Sequence, residues 1–102
     1  MAEIHEIQEN GIGTGIFIFT CPGCKIDHAV HTKFKNNCGA MWSFDGNRIK
    51  PTFNPSLLVR WPRPNKGDMV CHSFIRNGKI EFLSDCTHPL AGQTVDIPPY
   101  ED

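Results

Sequence analysis

An Asn-Gly pair at residues 77–78 limits what this chain can fold into, because it sits between alternating apolar residues and is bracketed by two cysteines and two histidines (CHSFIRNGKIEFLSDCTH, 71–88). Asn-Gly in such a setting specifies a two-residue hairpin turn, since both positions require positive φ. The flanking strands then pair Arg76 with Lys79, Ile75 with Ile80, Phe74 with Glu81 and Ser73 with Phe82. Two further steps set His72 opposite Leu83 and Cys71 opposite Ser84. Side chains alternate across a strand, which divides the hairpin into two faces. Cys71 and Cys86 fall on the apolar face with Ile75, Ile80 and Phe82, whereas His72 and Asp85 share the polar one.

The remaining chain reads as short strands between turn signals. Ile12 to Thr20 is β-branched and aromatic and runs into Cys21, and an extended piece is expected at Ala29–Phe34. Strands are also expected at Trp42–Phe44, Phe53–Trp61 and Thr94–Ile97, with a loop at 61–68. No segment sustains a 3.6-residue apolar period. The expected fold is mainly β: one small domain over 1–102, its core at about 12–97, an antiparallel sheet with hairpins, a zinc knuckle and little helix.

With 102 residues the chain has room for one domain. Ten basic residues against 11 acidic ones give a net charge of −1, so no basic stripe for nucleic acid is present, and Arg60, Arg63 and Lys66 alone carry little weight. No apolar run reaches the roughly 18–20 residues of a membrane span, and the N-terminus lacks the regions of a signal peptide. These features point to the cytosol, the host's if the protein is phage-encoded. Five cysteines in a reducing compartment favour metal or thiol chemistry over disulfides.

Cys21-Pro22-Gly23-Cys24 has the form of a metal knuckle, in which a tight turn aims two thiolates at one point. With no helix expected after it, a redox reading of C-x-x-C finds no support. The hairpin base supplies two more sulfurs, so the expected site is a structural zinc held by Cys21, Cys24, Cys71 and Cys86. His28, His31 or His88 stand as alternatives for one thiolate, and a disulfide or free thiols as another reading. Cys38 is expected to be a small apolar residue in a loop. Four protein ligands leave no open position, so such a zinc folds the chain and does not activate water.

Chemistry then has to come from the polar face. His72 and Asp85 are diagonal neighbours there, an arrangement in which a carboxylate orients an imidazole. Ser56, after the bend at Asn54-Pro55, is the candidate nucleophile, because Ser73 and Ser84 lie on the other face. The plainer readings are a strand histidine held by hydrogen bonds and a serine that completes a turn.

The segments CPGC, WSFDGN, PTFNPSLLVR and CHSFIRNGKIEFLSDCTHPLAGQTVDIP together resemble a family of small phage and prophage proteins of largely uncharacterised function. Its members are often labelled ammonia monooxygenase, although this chain has neither a membrane span nor a copper-type histidine cluster. Longer relatives, found beside bacterial ubiquitin-like conjugation genes, are regarded as zinc-containing serine-type peptidases. The resemblance implies a Ser56–His72–Asp85 catalytic group; where the longer relatives have a Ser-Pro-Ser-like stretch, this chain has Asn54-Pro55-Ser56. Those relatives also differ around Cys86. Two functions are therefore carried forward. One is a zinc-stabilised peptidase acting on peptide or isopeptide bonds of a ubiquitin-like or host protein. The other is a non-enzymatic zinc module that binds a host protein through aromatics such as Trp61, Trp42 and Phe53.

Overall fold

The computed structural model describes residues 3–100, and among these there is no helix. Eight strands form two antiparallel sheets where the sequence suggested one. The first contains β1 (His5–Glu9), β2 (Ile12–Thr20) and β3 (Asp27–His31) in that order. Asn10 and Gly11 join β1 to β2 with φ of 55° and 77°. This is the same turn chemistry as Asn77-Gly78, which was read only at the later hairpin.

The second sheet has the order β4 (Ser43–Phe44), β5 (Phe53–Arg63), β6 (Gly67–Arg76), β7 (Lys79–Phe82) and β8 (Thr94–Asp96). The expected register holds from Ser73↔Phe82 to Arg76↔Lys79, with φ of 52° and 78° at Asn77 and Gly78. Beyond Phe82 the ladder stops and residues 83–88 turn, yet Leu83 N still bonds to His72 O, and Cys86 stays buried on the face of Cys71, its sulfur within 4.8 Å. Residues 61–68, expected as loop, are mostly strand: Trp61 pairs with Met69, Pro62 with Asp68 and Arg63 with Gly67.

Pro62 fits because of strand parity. His72 directs its backbone N–H and C=O away from β5, to Cys86 Sγ and from Leu83 N. Leu58, opposite His72, must therefore point its own backbone groups away from β6, and so must Arg60 and Pro62. A proline there removes no ladder bond.

Phe17, Phe19 and Val30 from one sheet pack with Phe53, Leu57, Ile75, Ile80 and Phe82 from the other, and Trp42 and Ile97 complete this core. Trp42 and Phe53 are thus core residues and not free to serve as interface aromatics, while Trp61 is half-buried. A Cβ at Gly78 would lie 3.0 Å from Lys50 Cα, whereas one at Gly11 meets nothing within 4 Å. Both positions have positive φ, which costs an L-residue about 1–2 kcal/mol. Chemical denaturation should therefore show Gly78→Ala to be clearly more destabilising than Gly11→Ala. Equal losses would mean that the Lys50 backbone yields freely.

Candidate active site and metal centre

Ser56 lies where the β5–β6 ladder breaks register. Phe53 pairs with Ile75 and Leu57 with Ser73, so three residues of β5 stand against one of β6. Such a bulge re-aims the side chains within it. Ser56 Oγ comes to 3.1 Å from His72 Nε2, and His72 Nδ1 lies 3.1 Å from Asp85 Oδ2. An ionised carboxylate only accepts, so Nδ1 carries the ring proton and donates it to Asp85. Nε2 is then left to accept the Ser56 hydroxyl proton. The three expected residues are thus in one hydrogen-bonded row.

Asp85 reaches His72 from the turn after β7 and not from a continued strand. Its side chain is 57% exposed against 26% for His72, so it holds the ring by direction more than by a desolvated charge. The backbone of His72 is fixed independently. Cys86 Sγ accepts from His72 N at 3.2 Å and donates to His72 O at 3.1 Å, and Leu83 N donates to the same carbonyl at 2.9 Å. Burial pushes the Cys86 thiol up, which keeps the donor protonated.

On the opposite face of β6, one residue away, lies a sulfur cluster. The Sγ atoms of Cys21, Cys24 and Cys71 and a ring nitrogen of His28 all lie within 4.8 Å of one another. Cys21 and Cys71 approach to 3.7 Å, and Cys24 to 3.2 Å from His28 Nε2. The edge of a tetrahedron of sulfurs about 2.3 Å from a metal is about 3.8 Å, so these donors fit a single ion. Hydrogen bonds from Cys24 and Cys71 hold the Cys21 thiol far below its ordinary range. Burial opposes charge on His28, yet bonds to Cys21 and Cys24 raise it to about 9. The hydrogen bond to Cys21 in turn pushes the Cys71 thiol up, so without a metal the buried cluster keeps protons on Cys71 and His28 that a bound cation would displace.

This group differs from the expected four cysteines at one position: His28 stands in it and Cys86 does not. The spacing Cys24-x₃-His28 was the available signal, since β3 begins at Asp27 and turns His28 inward to 2% exposure. Cys86 belongs instead to a second group with Cys71 and His88. His88 is buried, its Nε2 has no hydrogen-bond partner, and its ring lies where a Gly23 Cβ would be. His31 lies outside both groups and Cys38 is exposed. All five cysteines are free thiols.

Elemental analysis of protein purified without added metal should show about one equivalent. It should fall sharply in His28→Ala and Cys71→Ser but persist in Cys86→Ser and Cys38→Ser. Loss of metal in Cys86→Ser with retention in His28→Ala would restore the four-cysteine site.

Among the described residues, no helix is long and apolar enough to cross a membrane. Residues 2–83 match the family model described as bacterial ubiquitination-like system serine protease (BubE). No curated protein and no solved structure matches the chain.

Proposed function

Since the match spans most of its length, the chain belongs to the BubE family, and from that premise we propose that it is a serine-type peptidase with Ser56, His72 and Asp85 as its catalytic group. The observation that carries this reading is the row Ser56 Oγ–His72 Nε2, His72 Nδ1–Asp85 Oδ2, with both contacts at 3.1 Å. The substrate is a peptide or isopeptide bond in a ubiquitin-like or other partner protein.

Ser56 Oγ attacks the scissile carbonyl while its proton passes to His72 Nε2. The imidazolium so formed is held by Asp85 through Nδ1–H, and it returns the proton to the departing amine nitrogen. A water then enters, His72 takes its proton, and the acyl–Ser56 ester is cleaved to the carboxylic acid and the free hydroxyl. Asp85 keeps one tautomer throughout and is not itself protonated. The Cys86 clamp on the His72 backbone keeps Nε2 aimed at Ser56.

Zinc is the ion we assign to Cys21, Cys24, His28 and Cys71, since three thiolates and an imidazole with tetrahedral spacing suit it. Its contribution would be structural: held by these residues, it would tie the end of β2 to the middle of β6. No ligand position is left for water.

A fluorophosphonate should label Ser56 in the native chain. His72→Ala should slow labelling at least about a thousandfold, because such a group acts as a unit. Asp85→Ala should also slow it, with fold and metal content unchanged in both variants. If the native chain is not labelled, the binding-module reading takes its place, and Trp61→Ala becomes the variant expected to lose a partner.

A further inference from the structure

β5 is a central strand only at its beginning. β4 pairs with it at Phe53 and Asn54, and the Trp42 indole then donates to the Ser56 carbonyl at 3.2 Å. Before Trp42 in the chain, Asn36 and residues 38–41 line a cleft with Ser56 and Leu58. Among the described residues, no strand pairs with Leu57–Arg63 on the side away from β6. By the parity set out above, Leu58 and Arg60 direct their N–H and C=O groups to this open side, while Pro62 beyond them has no N–H to offer. The open side is a groove that begins at Ser56, passes Leu58 and continues to Arg60. Near Ser56 it has a volume of about 440 Å³, within the usual range of ligand clefts. Its far wall is the free edge of β3 at Asp27 and Ala29. Met41 and Leu58 flank Ser56 and are 48% and 54% exposed, although both are large and apolar.

We propose that this edge receives the substrate as an added β-strand, an extended peptide bonded to the backbone of Leu58 and Arg60 with an apolar side chain seated against Met41, Trp42 and Leu58. The inference rests on the peptidase reading and gives its substrate a form: an unfolded tail or linker and not a folded surface. A sheet edge with unpaired amide groups beside exposed apolar side chains is a template for another extended chain. Here the template leads directly to the serine of the hydrogen-bonded row, so a strand lying on it presents its own backbone carbonyls to Ser56. The main chain would give affinity and the Met41–Leu58 cleft would give preference for an apolar residue.

Binding is read apart from catalysis by using the ¹⁵N-labelled full chain carrying Ser56→Ala. The probes are an acetylated, amidated tetrapeptide of three alanines and a leucine, and a copy methylated on alternate amide nitrogens. The proposal expects the Leu58 and Arg60 amide resonances to shift and their hydrogen exchange to slow. The methylated copy should bind about tenfold more weakly, the loss expected for one or two hydrogen bonds. Replacing the leucine by aspartate should weaken binding by a similar factor. Absence of shifts at Leu58 and Arg60, or equal binding of the methylated copy, would overturn the proposal. So would protection of the two amides that depends on protein concentration alone, since the occupant would then be a second copy of the chain. Fluorophosphonate labelling of the native chain reports separately on the peptidase reading, so either can fail while the other stands.

Discussion

The approach of Cys21 to Cys71, sulfur to sulfur at 3.7 Å, is the contact on which the rest of the molecule depends. Cys21 directly follows β2 of one sheet and Cys71 lies in the middle of β6 in the other. Both are buried, with 0% and 1% exposure, so neither sulfur can rely on water for its charge or its hydrogen bonds. Together with Cys24 and His28 they form a buried donor set whose polar atoms have only one another, or a bound cation, for partners. A small all-β chain has a limited core, and a metal held by these donors would cross-link its two sheets.

Strand geometry carries this contact through to the Ser56–His72–Asp85 row. Cys71 and His72 are neighbours on β6 and so face opposite ways. Fixing the Cys71 sulfur against β2 sets the pleat of β6 at that point, and the pleat sets where the His72 ring emerges. Cys86 and Leu83 hold the His72 backbone from the β7 side, and the bulge of β5 brings Ser56 up from the other. Asp85 then needs only to reach from its turn. Each member of the row thus comes from a different local device, and β6 is the element that they share.

Much of this was legible in the residues. The Asn77-Gly78 turn fixed four cross-strand pairs and placed His72 on the polar face, because turn chemistry is local. Ser56 and Asp85 were legible as partners of His72, although Asp85 arrives through a turn and not along a strand. Extrapolating the ladder past Phe82 was the weak step, since nothing in a repeating register announces where pairing ends. It did put Cys86 beside Cys71, but it could not show that His28, and not Cys86, joins Cys71 in the group with Cys21 and Cys24. The bend at Asn54-Pro55 was legible from its proline, but the groove beside β5 was not, because it depends on β4 pairing only with Phe53 and Asn54.

The central claim is that the sulfur cluster on one face of β6 holds the row on the other, and metal depletion tests it most directly. The chain would be treated with a strong chelator, and its metal content and its rate of fluorophosphonate labelling at Ser56 followed together through depletion and re-addition of zinc. The account predicts that labelling falls in proportion to the metal lost and returns with it. Full labelling of a metal-free chain would contradict it, since the Ser56–His72–Asp85 row would then stand without the cross-link.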